Sequence, residues 1–155
     1  MADGQVLTLG EAERELLREE AGRLAARGGP EAQEWARRLE EAARRGQLAE
    51  EDAALAGSVL AAGLLSGRIR SEGGPHAELA ASSLFLRLPQ GRALQAQAAE
   101  VSRALATLEG RTLRRLSLSA RGPGLYLLAL EADGCRLVVA LEPGGLQVRS
   151  LEIAV

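Results

Sequence analysis

The apolar period of the chain changes near residue 110, and that change limits the folds open to it. Before it, apolar residues mostly recur three and four apart, the spacing of one helix face. From Thr112 onward they recur every second residue, the spacing of one strand face. Helical segments followed by a run of strands predict an α+β fold: an N-terminal helical hairpin and core helix, then a helix packed on an antiparallel β-meander. The expected division is a hairpin over 1–47 and an α+β domain over 48–155.

Residues 8–27 open with Thr8 and carry Glu11 three positions on, the arrangement of a capping box. Leu9, Ala12, Leu16, Leu17 and Leu24 make an apolar stripe that ends at Gly28-Gly29. Pro30 suits a first helical position, and Ala32, Trp35, Ala36, Leu39 and Ala43 make a second stripe running to Gly46. The short Gly-Gly-Pro link predicts an antiparallel pair. Residues 48–66 begin with acids, which suit a helix N-terminus, and then turn apolar on almost every face. This segment is expected to be the central helix, between the hairpin and a sheet.

Residues 67–76 are rich in turn formers. Leu84, Leu86 and Leu88 alternate with Phe85 and Arg87, so 82–88 is expected as a strand, with a helix starting at Pro75 as the alternative. In 91–109, Leu94, Ala98, Val101, Leu105 and Leu108 form a stripe of about two heptads, short of what a coiled coil needs. That helix packs across a sheet or against its own copy. Leu116, Leu118 and Ala120 then alternate with Arg115, Ser117 and Ser119, whereas "LYLLALE" and "CRLVVAL" are apolar on both faces and read as inner strands. Pro123-Gly124, Asp133-Gly134 and Pro143-Gly144 mark the turns; Asp-Gly suits a two-residue hairpin and Pro-Gly a type II turn. Segment 146–155 is either a strand with a bulge near Arg149-Ser150 or a terminal helix.

Composition removes several functions. All 19 basic residues are arginine, and the absence of lysine excludes Schiff-base chemistry and a P-loop lysine. A net charge of −2 with one Trp, one Tyr and one Phe offers neither a field nor a stacking platform for nucleic acid. Cys135 is the sole cysteine, and neither a leader nor an apolar span is evident, so a reducing, cytoplasmic location is expected. His76 has no second histidine for a metal site, and Cys135 has no base close in sequence. No metal, no cofactor and no catalytic residue is expected. Arg111, Arg114, Arg115 and Arg121 form a basic strip without acids; it either protects an edge strand by charge or docks an acidic partner.

From residue 49, the expected order is helix, weak extended segment, strand, helix and meander. With "LRRLSLSARGPGLYLLALEADGCRLVVALEPGGLQVRSLE" over 113–152, this resembles the roadblock/dynein light chain family. The resemblance implies a noncatalytic, dimerising scaffold or regulator that serves small GTPases or sister subunits, with helix 91–109 and strand 112–121 as its dimer face. The interaction residues expected on this basis are Leu94, Ala98, Val101, Leu105, Leu108, Arg114 and Arg115. Trp35 marks the alternative, a structural or chaperone-like subunit of a larger assembly that docks through its N-terminal helices.

Overall fold

The computed structural model describes residues 6–154. Its elements run β1 (Leu7–Thr8), α1 (Glu11–Arg27), α2 (Pro30–Arg45), β2 (Gln47–Leu48), α3 (Glu50–Leu65), α4 (Arg68–Arg87), α5 (Pro89–Ala106), β3 (Leu113–Gly122), β4 (Leu125–Ala132), β5 (Cys135–Glu142) and β6 (Gly145–Ile153). The α+β class expected from the change of period is therefore present, with helices first and a four-stranded antiparallel meander, β3-β4-β5-β6, last. The chain divides into two compact units after Arg92, inside α5, and not at the expected 47/48 boundary. The reason lies in the core: Leu17 of α1, Leu39 of α2, Leu60 of α3 and Leu84 of α4 belong to one hydrophobic cluster.

In the first unit, α1 and α2 pack as the expected hairpin, with Pro30 at the start of α2 and left-handed Gly46 at its end. The open ends are tied together, because Leu7 and Thr8 pair with Leu48 and Gln47, and the Leu9 N–H donates to the Gly46 carbonyl at 2.9 Å. That pairing draws Thr8 away from the helix, so the expected Thr8/Glu11 capping box does not form. Instead Gly10 precedes the helix, and the Glu13 carboxylate accepts from the Gly10 N–H at 2.9 Å.

Of the stretch 82–88, expected as a strand, all but Leu88 belongs to α4, and Leu88 is the extended residue that ends the helix. Leu84, Leu86 and Leu88 do not share a buried face: Ala81, Leu84, Phe85 and Leu88 are buried at helical spacing while Leu86 is exposed. The turn-rich 67–76 is largely helical too, with a kink at Gly74, whose φ of 76° and ψ of −174° break the helix just before Pro75. Pro75 has no N–H and would clash with a carbonyl one turn back; left-handed Gly74 restarts the helix so that Pro75 stands in a first turn. At the α4–α5 corner, a Cβ on Gly91 would lie 2.0 Å from the Phe85 carbonyl oxygen, so only glycine fits.

Helix α3 packs against α2 and α4 through Ala56, Gly57, Leu60 and Gly63, and its axis lies at 108° to that of α4. It is not buried all round, since Leu65 is 81% exposed. Two arginines of α4 meet the two buried carboxylates of α1. Arg68 donates to both oxygens of Glu20 at 2.9 and 2.6 Å, and Arg87 donates to Glu13. A buried carboxylate without such a partner would destabilise the fold by several kcal/mol, so these pairs fix how α4 lies on α1. No single helix among the described residues is long and apolar enough to cross a membrane.

In the second unit, the turns fall where the sequence places them. Ala132 pairs with Cys135 around Asp133-Gly134, though only Gly134 has positive φ (68°), so this is not the doubly left-handed hairpin turn. Gly124, at φ 72°, meets the type II requirement after Pro123. Segment 146–155 is resolved as a strand to Ile153. Val138 pairs with Ser150 and Val139 with Val148, so Arg149 is the extra residue of a bulge. Val101 and Ala104 of α5, with Leu108 in the turn that follows it, pack on Leu137 and Val139 of β5 and on Leu128, Leu130, Leu146 and Val148 of the flanking strands.

Candidate interaction surface

Residues directly opposite in an antiparallel sheet point to the same face, so the register defines that face row by row. On the side that α5 covers, the rows are Leu113-Ala132-Cys135-Ile153, Leu116-Leu130-Leu137-Leu151, Leu118-Leu128-Val139-Val148 and Ala120-Tyr126-Leu141-Leu146. Tyr126 carries the only hydroxyl in this grid. The reverse face is mixed: one row reads Arg115-Glu131-Arg136-Glu152, and the next two end in Ser117 and Ser119 on β3.

One helix, about 10 Å across, cannot cover four strands spaced about 4.8 Å apart. Centred on β5, α5 leaves Leu137 and Val139 at 0% and 2% exposure, while Leu116 and Leu118 on β3 stand at 59% and 62%. Leu113 is half exposed, and Ile153 on the opposite edge is also open. Covering what remains of Leu116 and Leu118 would contribute about 1–2 kcal/mol each.

The residues of 91–109 expected at an interface are divided between two roles. Val101 is buried and Leu108 half-buried against the chain's own sheet, together with Ala104, which sequence reasoning did not single out. Packing across a sheet, one of the two settings expected for this helix, is seen within the chain. Leu94, Ala98 and Leu105 remain on the exposed side, Leu94 lying near Gly145.

The basic strip also divides. Arg114 donates to Asp133 Oδ1 at 2.6 Å, and that hydrogen bond holds the Asp133 carboxyl below its usual range and the guanidinium above its own. Arg111 donates to the carbonyls of Thr107 and Asp133 at 2.9 and 2.7 Å. Glu131, directly across from Arg115, turns to Arg136 at 3.6 Å. Among the described residues, Arg115 and Arg121 have no ion-pair partner.

Trp35, the remaining expected residue, is 37% exposed and borders an apolar groove of 390 Å³ lined by Leu24, Leu55, Val59 and Ala62. A second cleft, of 440 Å³, is lined by Glu34, Arg37, Arg38, Glu41, Arg45 and Asp52. Arg37–Glu34, Arg38–Asp52 and Arg45–Glu41 pair within it, and of its charged lining only the Glu51 carboxylate is without an ion-pair partner among the described residues, so all three arginines of the cleft are already engaged. Glu41, hydrogen-bonded by Arg44 and Arg45, is pulled down to a pKa of about 2.

Cys135 is buried, with the Thr107 hydroxyl at 3.7 Å from its sulfur, and His76 lies exposed on α4 of the other unit. Among the described residues, no three His, Cys, Asp or Glu side chains gather to hold a metal ion. Comparison with known proteins gives no match, whether to a family profile, to a characterised protein or to a solved structure.

Leu113, Leu116 and Leu118 lie in strand 112–121, which the resemblance implies as part of a dimer face, but the residues singled out on that strand are Arg114 and Arg115; Tyr126 on β4 is not singled out at all. Their alternation was visible. Their exposure follows from the number of helices available to cover the sheet, which no local pattern records.

Proposed function

We propose that this chain is a noncatalytic protein-binding module, working in the cytoplasm, whose binding surface is the β3 half of the α5-covered sheet face. The observation that carries this reading is the contrast within single rows of the sheet. Leu137 is fully buried while Leu116, two strands away on the same face, is 59% exposed. Contiguous apolar surface of this kind is typical of interaction sites, and the strand that carries it turns Arg115, Ser117 and Ser119 to the opposite face. A sister subunit or a small GTPase, the partners the sequence resemblance implies, is the first candidate.

Photo-crosslinking in the native cells tests the reading. With a benzophenone amino acid at position 118, adducts to another polypeptide are expected, and with the same group at exposed Arg18 of α1 they are not. Equal or absent labelling at both positions overturns it. A second reading has its own observation, the groove beside Trp35: an assembly subunit would dock there through its N-terminal helices. It predicts adducts from position 35 with position 118 silent.

A further inference from the structure

We infer that the occupant of this surface is an extended acidic segment of another protein, added as a fifth strand to the free edge of β3. The inference rests on the protein-binding reading above and names the partner's chemistry. β3 is an edge strand, so its outer row of backbone donors and acceptors is open to pairing. Its pairing with β4 is irregular at two places, between Leu113 and Arg115 and between Ala120 and Gly122, which makes Arg114 and Arg121 the extra residues of bulges. Bulges turn a strand away from its neighbours. The straight, pairable stretch is therefore 115–120, with Leu116, Leu118 and Ala120 on the apolar face.

Charge then selects the occupant. The two arginines without partners, Arg115 and Arg121, bracket that stretch, about 20 Å apart at strand rise. β3 contains no acid, so a second copy of β3 laid against this edge would bring the arginines of both copies within about one Debye length of each other with no carboxylate on either edge strand to pair with them. Paired about Leu118, such copies would set Arg115 directly against Arg121 at both ends. The same charges that repel another β3 admit a strand with carboxylates near its ends and apolar residues at alternate positions between them. Such a strand would cover Leu116 and Leu118 and hydrogen-bond along the edge, while its acids reach the two arginines.

The test uses the full chain and a fluorescein-labelled peptide, Asp-Val-Thr-Val-Thr-Val-Asp, followed by fluorescence anisotropy. Binding is expected that weakens with added salt, and that is lost for a peptide N-methylated at every residue, which has no N–H left to pair along either edge. A Lys-ended peptide should bind wild type more weakly. In the R115E/R121E double variant, its fold checked by circular dichroism, the preference should invert, each peptide changing by about tenfold. Equal affinity of both peptides for wild type, or no effect of N-methylation, overturns the acidic strand. So does a dimer of the unliganded chain in sedimentation velocity that Leu118→Asp dissociates, because the occupant is then a second copy. Adducts at position 118 in cells without peptide binding would leave the protein-binding reading standing and sink only this one.

Discussion

The two units of this chain complete their cores to different degrees. In the helical unit, four helices close around a core in which Leu17, Leu39, Leu60 and Leu84 are all at 0% exposure, and even its buried carboxylates are met by arginines. In the sheet unit, one helix lies on four strands, and leucines of the same sheet face range from 0% to 62% exposed. Both have enough apolar sequence to fill a core. The difference is in covering elements, and it teaches that the helical unit supplies stability whereas the sheet unit also presents surface.

Mutations can break that contrast. Leu17→Ala removes a fully buried side chain from a closed core and is expected to destabilise by about 3–4 kcal/mol in chemical denaturation. A loss below 1 kcal/mol would mean that the core is looser than its burial implies. Gly91→Ala forces a methyl against the Phe85 carbonyl, a backbone atom that cannot move aside, and should cost about 3 kcal/mol by the same measurement. Glu20→Gln leaves Arg68 with only its longer contact to Glu72, at 3.9 Å. Because Arg68 keeps 24% of its side chain in solvent, the loss should be nearer 2 kcal/mol than the value for a fully buried pair.

The sheet unit should respond in the opposite way. Leu118→Ala is expected to change stability by no more than about 0.5 kcal/mol, since the side chain is already 62% exposed, while weakening capture of the partner in crosslinking. A stability loss comparable to that of Leu17→Ala would show that the β3 face is covered in solution. The smallest expected effect is on α2. Glu41 should titrate with a midpoint of about 2, against the ordinary 4.5, in carboxyl NMR. Its pKa is depressed in the folded state, so its ion pairs with Arg44 and Arg45 contribute fully above pH 4.5 and are lost as pH falls toward 2. An ordinary midpoint would mean that those pairs are open in solution.

The sequence by itself determined what depends on neighbours along the chain. The α1–α2 hairpin follows from two stripes joined by Gly-Gly-Pro. The meander follows from alternation punctuated by Pro-Gly and Asp-Gly, and the bulge at Arg149 shows as a slip of that alternation. Tertiary structure decided the rest, for three physical reasons. In 82–88, Leu84, Phe85 and Leu88 satisfy a helical stripe as well as Leu84, Leu86 and Leu88 satisfy an alternating one, and only packing in the first core selects the helix. Among the arginines of the basic strip, which are engaged depends on where Asp133 and Glu131 fall across the strand register, a relation between residues well apart in sequence. Which leucines remain exposed depends on the width of one helix against four strands, a quantity that exists only once the chain has folded.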